Sequence, residues 1–461
     1  MRRRGIFLLV VLAAMAASPL LAGKVPDPGA KGPYEIGFAY FQLVDTSRNT
    51  DIGGRPIAVY LWYPADPAAI TASTPEAVYP LDPYFGTWPD SVSSDWEAAG
   101  CDRAYQEAPV SAGRPFPLVV LSPGWGCGAL YYSLVAARLA SHGLMVAVLY
   151  HYGDGALAWE PWDHVGTAAL NRPLDMSFAL TALLGRSGTP SDFFSGAVDP
   201  DLIAASGHSI GGYAAMVLAG AKDDSVCDAF YAPDWLGWLG PPPAETCVPG
   251  LPDPRIKAAV LLDGSSQILK FEELSRLAVP ALGLAEEWNS LLLGVELGWS
   301  APGFETWQAR QHAAFQGHPN YRVDISGTWH WTFSNILEVG RVYHDKGLLS
   351  DDEYAFWLEW NATAGLDSLE AQRLFAKYII AFLKTHLAGE PGYQGVLTPG
   401  YALTREQSIE LFVTEKRNPN AIAEDWPGDF IYFPHQPGSE QALAPKDPNN
   451  APLIRHARIR R

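Results

Sequence analysis

The chain has 461 residues, enough for two or three domains or for one α/β domain with insertions, so length leaves the domain count open. With 48% hydrophobic residues it can bury a large core, which excludes a disordered chain. Its 50 Asp and Glu against 32 Lys and Arg give a formal net charge of −18, which argues against a nucleic-acid or anionic-membrane surface.

The N-terminus begins Met1-Arg2-Arg3-Arg4, continues as an apolar run from Ile6 to about Ala17, and reaches small residues through Ala22. That order predicts a secretory signal peptide over residues 1–22, and hence a secreted or periplasmic protein. Leu21-Ala22-Gly23 is followed by Lys24 and not by cysteine, which disfavours a lipid anchor. No later apolar run approaches spanning length, so no stable membrane insertion is expected.

From about residue 35 to 387, apolar and helical segments alternate, the pattern of a mostly parallel sheet flanked by helices. Gly37 to Leu43 and Ile57 to Tyr63 read as opening antiparallel strands. Pro117 to Ser122, Met145 to Tyr150, Leu202 to Gly207, Ile256 to Leu262, Ala278 to Leu284 and Tyr321 to Ile325 read as central strands. Helices are expected at Leu130 to His142, Asn171 to Leu184, Ile210 to Ala221 and Ser368 to Leu387. Two aromatic-rich insertions, about residues 222–255 and 286–320, leave the ends of strands or adjoining helices where α/β sheets place ligands, so they are candidate covers for a site. Ordinary packing of the same aromatics accounts for them equally well. Residues 391–461 are rich in Pro, Asn and Gly and read as a C-terminal extension without a motif.

The cysteines are Cys101, Cys127, Cys227 and Cys247. An even number in an exported chain suggests disulfides. Cys227 with Cys247, flanking one insertion, is the preferred pair, and closing that loop would add about 3 kcal/mol. No pair has metal-ligand spacing, and neither a metal nor a cofactor is implied.

One short stretch carries the chemistry. Leu202 to Ala205 leads into Gly207-His208-Ser209-Ile210-Gly211, and an Ala-rich helical pattern follows. Strand, glycine-flanked serine and helix make the nucleophile elbow of an α/β-hydrolase fold. The serine sits in a strained turn, and the free N–H groups of the following helix can receive developing negative charge.

A serine hydroxyl needs a base, and the base needs an acid to orient it. His330 lies on a loop just beyond the strand Tyr321 to Ile325, where a base can overhang the elbow. His312 and His318 precede that strand and are weaker candidates. For the acid, Asp263 closes the apolar run Ala258 to Leu262, and Glu286 and Glu287 follow the next strand, on a loop. Asp263 is preferred because it ends its strand abruptly on a shorter side chain, and the other two stay open. The oxyanion donors are expected to be the backbone N–H groups of Ile210 and of Trp125, in Ser122-Pro123-Gly124-Trp125-Gly126. The side chains of Trp125, His208 and Trp329 are expected to bind substrate.

At Ser122 to Gly126, Arg138 to Gly143 and Gly207 to Gly212, the chain resembles a group of exported serine hydrolases. They are the platelet-activating-factor acetylhydrolases, predicted dienelactone hydrolases and bacterial cutinase-like polyester hydrolases, and the likeness spans roughly residues 35–387. The resemblance implies a catalytic domain over that span and a Ser-His-Asp ester hydrolase. Small-molecule or polymeric esters of short acyl chain, lipid-like or polyester, are the expected substrates. The acetylhydrolases place their acid after the strand that ends here in Leu261-Leu262-Asp263. Polyester hydrolases place theirs one strand later, where this chain reads Ala285-Glu286-Glu287-Trp288, and dienelactone hydrolases use a cysteine nucleophile. The resemblance therefore carries the reaction class and not the substrate. The alternatives are an amidase or peptidase on the same triad, or a binding protein that keeps the fold without catalysis.

Overall fold

The computed structural model describes residues 25–50, 53–80, 100, 102–153, 165–221, 251–266, 269–286, 303–361 and 365–415. In chain order the first half holds β1 (Glu35–Thr50), β2 (Gly53–Ala65), β3 (Ala104–Gln106), β4 (Phe116–Ser122), α1 (Ser133–Ser141), β5 (Met145–His151), α2 (Val165–Ser187), β6 (Val198–His208) and α3 (Ile210–Leu218). The second half holds β7 (Ile256–Leu262), α4 (Phe271–Leu274), β8 (Ala281–Glu286), α5 (Gly303–Ala314), β9 (Asn320–Ile325), α6 (Ile336–Asp345), α7 (Asp351–Asn361), α8 (Ser368–His386), α9 (Pro399–Arg405) and β10 (Ile409–Thr414).

The described strands form one sheet in the order β10-β9-β8-β7-β6-β4-β5-β2-β1-β3. Its centre, β5-β4-β6-β7-β8-β9, is parallel, while β1, β2 and β10 pair antiparallel at the flanks. Every residue of β4 and β5 is buried, as expected for strands covered on both faces. Their side chains alternate between two cores. Val119 and Leu121 face a cluster with α1 and α8, while Leu118 and Val120 face one with α2 and α3. This is the α/β-hydrolase architecture that the alternating pattern predicts.

Several boundaries differ for identifiable reasons. The strand expected at Ala278 begins at Ala281, because Pro280 has no N–H for the ladder and its carbonyl instead accepts from Ala259 N–H at 3.0 Å. The same strand runs on to Glu286, which pairs in register with Ile325, so Glu286 ends a strand and is not a loop residue. The helix expected from Leu130 starts as a 3-10 turn, Ala129–Tyr132, and becomes α-helical at Ser133. The domain also does not stop at residue 387. Pro391–Val396, α9 and β10 continue it, and β10 adds the edge strand beside β9, from Ile409↔Ile325 to Thr414↔Asn320. Its alternation of Ile409, Leu411 and Val413 with polar and aromatic neighbours is short, and long-range pairing decides its strand state.

Cys101, Cys227 and Cys247 lie outside the described residues, as do residues 222–250 and 287–302 of the two expected insertions. Cys127 is buried. No described helix is long and apolar enough to cross a membrane.

Candidate active site

The elbow is built by backbone crowding. β6 ends at His208, Ser209 takes φ +54° and ψ −122°, and α3 starts at Ile210. A positive φ is strained for any residue with a Cβ, and here the surroundings hold it. Ser209 N–H donates to the Leu262 carbonyl at 3.1 Å, and its own carbonyl accepts from Ser265 N–H at 2.9 Å. The two motif glycines pack on this turn. A Cβ on Gly207 would lie 2.1 Å from the Gly211 carbonyl oxygen, and one on Gly211 would lie 2.1 Å from that of Ser122. The glycine spelling is thus a statement about the space between β6, α3 and the end of β4. Ser209 Oγ sits 3.4 Å from Ser265 Oγ, and every residue of α3 is buried. Ile210 is the first residue of that helix, so its N–H has no acceptor within the helix.

Asp263 follows β7 directly, also at positive φ (+42°), with its N–H on the Leu284 carbonyl at 2.8 Å. Two donors meet its carboxylate. His330 Nδ1 lies 2.6 Å from Oδ2, and Gln308 Nε2, from α5, donates to Oδ1 at 2.7 Å. All three side chains are buried, with Asp263 1% exposed. The loop that presents His330 is fixed at its base by Thr328 Oγ1, which donates to the Ile325 carbonyl at 2.6 Å, and by Trp329 N–H on Thr332 Oγ1. Of the carboxylates considered for the acid, Asp263 meets the imidazole. Glu286 is buried at the end of β8, and Glu287 lies outside the described residues.

His208 requires a correction. Expected among substrate-binding side chains, it is fully buried with both ring nitrogens engaged. Its Nε2 faces the His330 carbonyl at 2.9 Å and its Nδ1 faces Tyr132 Oη at 2.8 Å. A carbonyl only accepts, so Nε2 carries the proton and Tyr132 O–H donates to Nδ1. Tyr132 in turn accepts from Gly124 N–H at 2.7 Å. Burial, then the nearby His330 and Arg172, push the His208 pKa well below its ordinary value, so the ring is neutral, as this pattern needs. His208 thereby ties the His330 loop to the loop after β4. Trp329, expected to bind substrate, is likewise buried (6% exposed), whereas Trp125 is half-buried and packs against the core under α2 and α3. His312 and His318 stand apart at the sheet edge, on Thr414 Oγ1 (2.9 Å) and the Thr414 carbonyl (3.2 Å).

The sequence reading missed Gln308 and Tyr132. Gln308 falls inside a stretch read as an insertion, and Tyr132 is one of two adjacent tyrosines in an apolar helix start. Neither has a local pattern that signals contact with a residue 45 or 76 positions away. Among the described residues no group of three or more His, Cys, Asp or Glu is placed to hold a metal ion.

Comparison with known proteins supplies a second line. Residues 22–162 match the family described as platelet-activating factor acetylhydrolase, isoform II, a span that includes the loop Ser122 to Gly126 and ends before the elbow. The platelet-activating factor acetylhydrolase of Canis lupus familiaris is 29% identical over 154 residues, 32% of this chain and 33% of that protein. The chain thus spans about a third of the length of this curated relative. A ferulic acid esterase from Streptomyces cinnamoneus aligns with a TM-score of 0.52 at 22% identity, covering 83% of this chain and 97% of that one. Over residues 22–162 the sequence is thus similar to platelet-activating factor acetylhydrolases, and the fold is similar to that of the ferulic acid esterase.

Proposed function

We propose that this protein is an exported serine hydrolase of carboxylic esters, with Ser209 as nucleophile, His330 as general base and Asp263 as orienting acid. The observation that carries the reading is the 2.6 Å bond between His330 Nδ1 and Asp263 Oδ2, one strand away from a serine held in a strained turn. A carboxylate on Nδ1–H leaves Nε2 as the proton acceptor. Ser209 Oγ attacks the acyl carbon while its proton passes to His330 Nε2. Ile210 N–H and Trp125 N–H receive the charge that gathers on the carbonyl oxygen. Collapse breaks the bond to the alcohol, which leaves with the proton from His330. Water then gives a proton to His330 and attacks the acyl carbon, and the acid departs as Ser209 regains its proton.

The names of the two relatives specify an acetylhydrolase and a ferulic acid esterase, which supports carboxylic esters as the substrate class. We assign short acyl chains on lipid-like or polyester alcohols to this site, and export on the basic and apolar leader Met1 to Ala22. The test is mass-spectrometric mapping of a fluorophosphonate adduct on the folded protein, with aryl acetate turnover. The expected result is an adduct on Ser209 alone, abolished in Ser209→Ala and lost in His330→Ala, with turnover lost in parallel. A folded protein that takes no label, or Ser209→Ala with wild-type turnover, overturns the reading. A matched ester and anilide of one acyl group separates esterase from amidase.

A further inference from the structure

Behind the loop that follows β4 lies a second serine-histidine-aspartate chain that cannot meet a substrate. Ser122 Oγ is 2.9 Å from His151 Nε2, and His151 Nδ1 is 2.8 Å from Asp175 Oδ2. Ser122 and Asp175 are 0% exposed and His151 3%. Asp175 also accepts from two guanidinium nitrogens of Arg55, Nε at 2.8 Å and Nη2 at 2.9 Å, and is ion-paired with Arg48. Arg172 and Asp175 are three apart on α2, so they share one face of that helix. The fully buried Arg172 completes the chain, since its Nη1 donates to Ser122 Oγ at 3.2 Å.

The same guanidinium grips two successive carbonyls of the loop. Nη1 donates to the Pro123 carbonyl and Nη2 to that of Gly124 at 3.0 Å. In a trans peptide the C=O and the following N–H point in opposite directions. The first pair obeys this visibly, for Gly124 N–H, opposite the Pro123 carbonyl, reaches Tyr132 Oη at 2.7 Å. In the next peptide, anchoring the Gly124 carbonyl on Arg172 turns Trp125 N–H away from Arg172.

We infer that Arg172, held by the buried Ser122–His151–Asp175 chain, is a positioning residue that aims the Trp125 N–H at the developing oxyanion. The inference rests on the ester-hydrolase reading above and adds to it a source of one donor's orientation, beside Cys127 N–H, which also donates to the Gly124 carbonyl at 3.1 Å. Four buried polar side chains, Ser122, His151, Asp175 and Arg172, thereby act on one loop.

The test uses the full-length protein and three variants: Arg172→Met, Arg172→Lys and Ser122→Ala. Aryl acetate kcat and KM are measured per active site titrated with fluorophosphonate, which removes any effect of the folded fraction. The inhibition constant of a trifluoromethyl ketone, whose adduct places an oxyanion in the same hole, is measured alongside. In Arg172→Met, kcat per site is expected to fall about ten- to a hundredfold with KM little changed, as for a misplaced reacting group. The inhibitor should weaken by the same factor. Arg172→Lys should fall between, because an ammonium cannot hold two carbonyls in a planar fork. Ser122→Ala, which keeps the guanidinium, should lose about three- to tenfold, the worth of one hydrogen bond. Unchanged kcat per site and unchanged inhibition in Arg172→Met overturn the inference, and in Ser122→Ala they do so if Arg172→Met fails to fold. A wild-type protein with neither turnover nor inhibitor binding overturns the hydrolase reading itself.

Discussion

Replacing Asp263 by asparagine tests the reading of the site most sharply, because the bond the new amide keeps to Gln308 decides the tautomer of His330. The carboxylate now accepts from His330 Nδ1 at 2.6 Å and from Gln308 Nε2 at 2.7 Å, and at 1% exposure water cannot stand in for either donor. Asparagine has one oxygen for the two donors: Gln308 kept as an Nε2 donor takes it, whereas a Gln308 amide turned over to accept through Oε1 would leave it on His330. With its oxygen on Gln308 Nε2, its NH2 faces His330 and forces Nδ1 to accept, which leaves the proton on Nε2. A protonated Nε2 cannot take the Ser209 proton, and a wrong tautomer of this kind costs about ten-thousandfold in kcat, about 5 kcal/mol at the barrier. The double variant Asp263→Asn with Gln308→Glu supplies a buried carboxylate to accept from the amide NH2. The amide oxygen then returns to His330 Nδ1–H, and kcat should recover about ten- to a hundredfold over the single variant. The assay is single-turnover acylation of an aryl acetate per titrated site. Asp263→Asn within about tenfold of wild type refutes the role of Asp263, and a double variant no better than the single one refutes the role of Gln308 in selecting the tautomer.

Two further outcomes follow from crowding and from buried titratable groups. Gly211→Ala would drive a Cβ to 2.1 Å from the Ser122 carbonyl and 2.4 Å from that of Pro123, both backbone. It should destabilise the fold by about 3 kcal/mol in urea unfolding and displace the loop that bears Trp125. Stability should also fall as pH drops from 6.5 towards 4. Burial, chiefly, and then the neighbouring Arg322 lower the His312 pKa from 6.5 to about 4, so in that window the unfolded chain binds a proton that the native one does not. The buried His208 acts with the same sign. His312→Asn should flatten this dependence by up to about 3 kcal/mol between pH 6.5 and 4. An unchanged slope of urea midpoint against pH refutes the assignment. Below pH 3.8 a further loss comes from Asp175, whose carboxyl burial pushes up but whose partners Arg55, His151 and Arg48 together hold well down.

Much of this protein is written locally. The apolar runs at β4, β5 and β7 are long enough and rich enough in Val, Leu and Ala to declare buried strands, and Gly207-His208-Ser209-Ile210-Gly211 declares a turn that only small flanking residues allow. The sequence also points to Asp263, directly after β7, and to His330, on the loop beyond β9, and these two side chains meet. What the sequence could not declare are partners joined only by packing. His208 looks like a motif side chain open to substrate, and only the approach of Tyr132 and the His330 loop makes it a buried tie. Gln308 meets Asp263 across 45 residues, and Arg172 meets Gly124 across 48, with nothing in either neighbourhood to announce it. Likewise β10 is a strand because β9 offers it an unpaired edge. Periodicity and steric demand are properties of neighbours in sequence, whereas a buried polar contact depends on where two distant segments come to rest.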